Sequence, residues 1–257
     1  ESPRWLIQAG REAEALPILT RMGGAAHAQA ELAAVREALG QKRARFRELF
    51  QSRFRRPLII AVLLMAVSQF SGINAIMYYS TKIFTTAGVG IKDAFQSSVM
   101  IGLVNVGFTL VAIALVDRAG RRPLLLTGLA TQVLALGAVG WMFHSGAGGL
   151  PLLLGILLFI AAFAMALGPI PWILCSEIFP TQLRGRAMSI ATFTIWSACY
   201  IVAQTFPMLN DNPAVGPART FGVYAFCSLL GFLFVLTMVP ETKGRTLEEI
   251  EASWPRR

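Results

Sequence analysis

Of the 257 residues, 55% are hydrophobic and only 14% are charged, against roughly 25% charged in a soluble globular domain. That composition excludes an ordinary water-soluble fold. The formal net charge of +9 raises nucleic acid as a partner, a reading that the placement of the basic residues removes.

Residues 1–56 form the most polar part of the chain. Residues 11–22 and 27–40 read as short helices rich in Ala, Arg and Glu, separated by Gly23 and Gly24. They make a cytosolic helical linker. Such a linker has little reason to open a protein, and the first residue is Glu1 rather than Met, with no signal peptide. The chain therefore reads as cut from something longer. The basic run Lys42-Arg43-Ala44-Arg45-Phe46-Arg47, with Arg53, Arg55 and Arg56, stands directly before an apolar stretch. Topology and attraction to anionic lipid headgroups explain that position, so no nucleic acid is expected.

Runs free of charge then cover residues 57–81, 94–116, 123–176, 187–210 and 220–240. A bilayer core takes about 20 apolar residues per helix. Four runs hold one span each, and the longest holds two, separated by His144-Ser145-Gly146-Ala147-Gly148-Gly149. Helices are the reading, because backbone polar groups cannot face lipid unpaired. The expected organisation is a linker over 1–56, a bundle of six transmembrane helices over 57–240, and a cytosolic tail over 241–257.

The first span carries Ser68, Gln69, Ser71 and Asn74 around Gly72, followed by Tyr78, Tyr79 and Thr81. Polar groups in lipid face a bundle interior or a water-filled cavity, and Gly72 lets the helix unwind. Gln69 and Asn74 read as an amide-and-hydroxyl site, with the tyrosines as lid or interfacial belt. In the second span Gly102, Asn105 and Thr109 share a face, making Asn105 a candidate third ligand. The fourth contains Phe163, Gly168, Pro169, Pro171 and Trp172. Each proline frees a carbonyl, as in the broken helices of transporters. Trp172 stacks on substrate, closes an inner gate or anchors at the interface. In the fifth span Ser197, Tyr200 and Gln204 share one face and Thr192, Ile195, Cys199 and Ala203 another, with the cavity-facing side left open. Cys175, Cys199 and Cys227 have no metal-ligand spacing and read as small apolar residues. No metal, cofactor or catalytic set is expected, and an enzyme is not.

Charges gather in three groups: Asp117, Arg118, Arg121 and Arg122; Glu177, Arg184 and Arg186; and Glu241, Lys243 and Arg245. If residues 1–56 lie in the cytosol, only Lys82, Lys92 and Arg219 of the 23 Lys and Arg residues fall outside. That asymmetry follows the positive-inside rule, and both termini are expected in the cytosol.

The chain resembles the sugar porter family of the major facilitator superfamily. The resemblance rests on Glu1-Ser2-Pro3-Arg4-Trp5-Leu6, Gln69-Phe70-Ser71-Gly72-Ile73-Asn74, Asp117-Arg118-Ala119-Gly120-Arg121-Arg122, Gly168 to Trp172, Glu177 to Arg186, and Pro240-Glu241-Thr242-Lys243-Gly244. These elements follow the family's order along essentially the whole chain. The resemblance implies an all-α membrane protein, the C-terminal half of a twelve-helix fold, lacking its N-terminal six-helix half. It implies Gln69, Asn74, Asn105 and Trp172 as substrate-binding residues and Phe163 and Trp196 as aromatic walls. It places Tyr78 and Tyr79 at an outer gate, and puts Asp117, Arg118, Arg121, Arg122, Glu177, Arg184 and Arg186 in a cytosolic charge network, to which Glu241 is added.

The implied function is secondary transport of a sugar or related polyol by alternating access, in the cell membrane, with a coupled proton as an allowed partner. The departures are Ser68, where the family usually has a second glutamine, Ala164, where hexose carriers have a glutamate, and Ile195 and Cys199, where they have amides. Fewer hydroxyl partners change specificity, so no particular sugar is implied. The alternatives are a non-transporting truncated remnant and a transporter-like sugar receptor.

Overall fold

A computed structural model describes residues 2–40, 46–88, 90–245 and 249. Glu1, the basic positions 42–45 and the tail beyond residue 245, apart from Glu249, lie outside the described residues. The chain clusters into two compact units, Glu1–Arg45 and Phe46–Arg257.

In the first unit, Ser2 starts helix α1 (Pro3–Gln8), its hydroxyl accepting the Trp5 N–H at 3.3 Å. Helix α2 (Glu12–Gly40) is broken at Gly24, whose φ of 83° and ψ of 174° are non-helical. The two arms share a buried seam of Leu6, Ile7, Ala15, Leu19, Ala28, Leu32 and Val35. A fork from Arg36 to the Glu12 carboxylate ties one arm to the other. The Gly23-Gly24 pair thus marks the bend the sequence places there.

The second unit opens with a short 3-10 turn (Phe46–Phe50) and continues as α3 (Ser52–Phe70), α4 (Ile73–Thr86), α5 (Ile91–Ala119), α6 (Arg121–Ser145), α7 (Leu150–Met165), α8 (Ile170–Glu177), α9 (Thr181–Asn210) and α10 (Gly216–Met238). Taking α3 with α4 and α7 with α8, six helical stretches among the described residues are long and apolar enough to cross a membrane. All the described elements are helical. The protein is a multi-pass, all-α membrane protein.

Two spans are discontinuous, each for a readable reason. At Gly72 the backbone turns left-handed, φ 89° and ψ 11°, which costs L-residues roughly 1–2 kcal/mol. A Cβ there would also lie 2.6 Å from Tyr224 Cδ2 of α10. Between α7 and α8 the chain leaves helical geometry at Ala166, φ −122° and ψ −81°, just ahead of Pro169 and Pro171. Around these breaks α3 packs on α8, α9 and α10, α6 lies between α7 and α10, and α5 covers α4 and α7. Outward-facing side chains are apolar, among them Leu103, Val106 and Leu110 of α5 and Phe226 and Leu233 of α10. Where hydrocarbon replaces water this surface is the stable one.

Candidate functional site

The break at Gly72 brings two amides together. Gln69, on the last turn of α3, is 6% exposed, and Asn74 stands on the first turn of α4. Asn74 Nδ2 donates to Gln69 Oε1 at 2.6 Å and to Cys199 Sγ of α9 at 3.0 Å. The Tyr78 hydroxyl lies 4.0 Å from the same sulfur. Gln69 Nε2 and Asn74 Oδ1 then have no protein partner among the described residues. An amide offers both donors and an acceptor, so the pair presents one of each to a neutral hydroxylated ligand.

The same span serves carbonyls that prolines leave behind. A helical proline cannot donate to the carbonyl four residues earlier. Pro171 leaves Leu167 O, and the buried Ser68 hydroxyl donates to it at 3.4 Å. Pro207, inside α9, leaves Ala203 O, and the Tyr79 hydroxyl donates to it at 3.2 Å. Tyr79 is itself where α4 bends, φ −112° and ψ 16°, and its ring lies 5.1 Å from Phe206. Ser68 and Tyr79 thereby tie the broken first span to two others at their weak points. Near the end of α4 Lys82 Nζ meets Asp211 Oδ2 at 2.6 Å. The hydrogen bond from Lys82 and a second from Asn210 hold the Asp211 carboxyl below its ordinary value.

These bonds decide which face of α9 looks inward. Ile195 and Cys199 are buried, and Cys199 and Ala203 meet α4, whereas Tyr200 is 67% exposed. The face through Thr192, Ile195, Cys199 and Ala203 joins the first span. Cys199, read from sequence as a small apolar residue, instead accepts a hydrogen bond within the amide cluster. Nothing in its sequence neighbourhood signals that, because its partner is 125 positions away.

Other expected residues lie elsewhere. Trp196 is 63% exposed and, with Gly185, Met188, Ser189, Thr192 and Phe193, lines a hollow of about 530 Å³ along α9. Phe163 is buried 6.5 Å from Phe159 on α7. Trp172 is half-buried on α8, close after the Gly168-Pro169-Ile170-Pro171 break. Asn105 is half-buried on α5, where its carbonyl accepts from Thr109 Oγ1 at 2.7 Å; the described contacts do not join it to Gln69 or Asn74. Among the described residues no group of three or more His, Cys, Asp or Glu side chains is placed to hold a metal.

At the opposite ends of these helices the charges form a cluster. The Arg121 side chain, 12% exposed, places Nη2 2.8 Å from Glu177 Oε1 and 3.0 Å from Asp117 Oδ1. Glu177 Oε2 accepts from Thr242 Oγ1 at 2.6 Å. The Glu241 carboxylate accepts the backbone N–H groups of Arg121, Arg122, Thr242 and Lys243 at 2.9–3.1 Å. Burial raises the Glu241 pKa, but these four donors outweigh it and hold it below the ordinary carboxylate value. Arg122 Nη2 donates to Leu236 O at 2.8 Å. Arg118 is exposed and enters through its carbonyl, which accepts from Lys243 Nζ. Arg184 Nε and Arg186 Nη1 are buried and meet no hydrogen-bond acceptor among the described residues. Thr242 is the member of this cluster that charge alone does not reveal.

A family model described as sugar (and other) transporter matches residues 1–254. The chain is 41% identical to an arabinose-proton symporter of Bacillus subtilis over 99% of its own length and 55% of that protein. It is 36% identical to a D-xylose-proton symporter of Escherichia coli, over 99% of the chain and 52% of the relative. It is also 41% identical to a galactose-proton symporter of Escherichia coli, over 98% and 55%. Among solved structures it is similar to a proton:xylose symporter of the major facilitator superfamily bound to 6-bromo-6-deoxy-D-glucose. That match has a TM-score of 0.79 at 36% identity, covering 99% of this chain and 54% of the other. The chain spans about half the length of the curated relatives it matches.

Proposed function

The chain belongs to the sugar transporter family, and on that premise we propose that it forms the C-terminal six-helix half of a secondary transporter for a sugar or related polyol, working by alternating access. The amide pair at the Gly72 break carries the reading. A membrane span spends two amides and a left-handed glycine at one level, and leaves Gln69 Nε2 and Asn74 Oδ1 available. Discontinuous helices near the bilayer midplane are where such transporters bind substrate. Hydroxyl groups are the ligand chemistry that uncharged amides serve. Asn105, Trp172, Phe163 and Trp196 complete the site together with an N-terminal six-helix half.

Tyr78 and Tyr79 act as the outer gate, and Gly168, Pro169 and Pro171 as the flexible point of the fourth span. Asp117, Arg118, Arg121, Arg122, Glu177, Arg184, Arg186 and Glu241 form a cytosolic latch. The three relatives named above are proton symporters, which supports a coupled proton. The distribution of Lys and Arg supports cytosolic termini in the cell membrane.

Uptake of labelled pentoses and hexoses by proteoliposomes containing the full-length protein tests this. Asn74→Ala removes a ligand and leaves Gln69 Oε1 without its donor. At about 1.4 kcal/mol per tenfold, one lost hydrogen bond of about 0.5–1.5 kcal/mol lowers kcat/KM several-fold or more, at unchanged protein abundance. Uptake by Asn74→Ala equal to that of the parent would refute the assignment of the site.

A further inference from the structure

Four buried polar atoms take part in none of the hydrogen bonds described so far. Gln132 of α6 and Ser228 of α10 are fully buried, and Tyr224 of α10 is 4% exposed. Both amide atoms of Gln132 and the hydroxyls of Ser228 and Tyr224 have no hydrogen-bond partner in the protein among the described residues.

Helix register brings them within one turn of each other. A Cβ on Gly140 of α6 would lie 3.0 Å from Ala218 O and 3.6 Å from Gly222 N. A Cβ on Gly231 of α10 would lie 3.3 Å from Leu129 Cδ2. The two helices are therefore antiparallel, and counting inward from both contacts sets Ser228 opposite Gln132. Tyr224 is four residues before Ser228, on the same face of α10 one turn away. Its ring also covers Gly72, so the three side chains stand behind the break in the first span.

Each buried donor or acceptor left without a partner costs about 1–3 kcal/mol, and three such side chains within one helical turn of each other point to a shared ligand. Residues 123–176 and 220–240, which hold all three side chains, contain no Asp, Glu, Lys or Arg, so neither a cation nor an anion finds a counter-charge along these stretches of the two helices. Glycine contacts hold α6 close to α10 on both sides of the cluster, which favours a small ligand. Water is small and neutral, donates and accepts, and makes about three hydrogen bonds when buried.

We propose that Gln132, Ser228 and Tyr224 form an internal water site, holding about one or two molecules, at the back of the Gly72 break. The site solvates the pivot of the first span where Tyr224 meets Gly72.

Radiolytic hydroxyl labelling by X-ray pulses tests it in the purified full-length protein, because radicals generated from a bound water mark the side chains touching it. The expected result is a Tyr224 labelling rate several-fold above those of the fully buried Phe206 and Phe221. Ser228→Ala, and Gln132→Leu where it folds, should reduce Tyr224 labelling several-fold and leave the exposed Tyr200 unchanged. A parent Tyr224 that labels no faster than Phe206 and Phe221 overturns the proposal without any variant. Tyr224 labelling unchanged in Ser228→Ala and in folded Gln132→Leu overturns it equally.

Discussion

Gly72 combines two requirements that only a glycine side chain meets: a left-handed backbone and a neighbour, Tyr224, occupying the space a Cβ would fill. Gly72→Ala is therefore expected to lower stability by about 1–2 kcal/mol from the backbone alone, with the ring contact adding to it. Thermal unfolding of the purified protein reads this directly, and an unchanged midpoint would mean the turn is not the one described. At this scale the sequence carried part of the site. A glycine between amides in an apolar run is legible because lipid makes each polar residue conspicuous. The role of Cys199 was not legible, since a thiol in an apolar run looks like a small hydrophobe until Asn74 is seen 3.0 Å away. Ser68 reads as the loss of a family glutamine. In the structure its hydroxyl takes the carbonyl that Pro171 leaves free.

Between elements, the broken helices are held by hydroxyls rather than left slack. Ser68 serves Leu167 O and Tyr79 serves Ala203 O, each a carbonyl four residues before a proline. The half-helix α4 is thereby fastened to α9 by Asn74, by Tyr79 and by the Lys82–Asp211 ion pair. The last of these is exposed and adds little. Tyr79→Phe keeps the ring against Phe206 and removes only the donor, leaving Ala203 O unserved at a cost of about 1–3 kcal/mol if it stays buried. The expected consequence is faster hydrogen exchange across α4 and the end of α9, with the rest of the bundle unaffected. Exchange identical to that of the parent would show that the hydroxyl does not hold the half-helix. The prolines are plain in the sequence; the hydroxyl that answers each of them is not, because the partner lies in a different helix.

For the whole molecule, the six spans, the two discontinuous helices and the bend at Gly23-Gly24 follow from charge-free run lengths and from Gly and Pro placement. These are the signals a bilayer enforces most strongly. The charge cluster was legible as a set of residues but not as a geometry. Arg121 gathers Asp117 and Glu177, Glu241 takes four backbone donors, and Arg184 and Arg186 each keep a buried nitrogen without a hydrogen-bond partner among the described residues. We propose that a sugar binds at the amide pair beside Cys199. That binding is tested most directly by the rate at which a small methanethiosulfonate modifies Cys199 in protein carrying Cys175→Ala and Cys227→Ser. A sugar that the protein transports is predicted to slow that reaction in proportion to site occupancy, while a sugar that is not transported leaves it unchanged. Modification at one rate with and without a transported sugar would contradict the account.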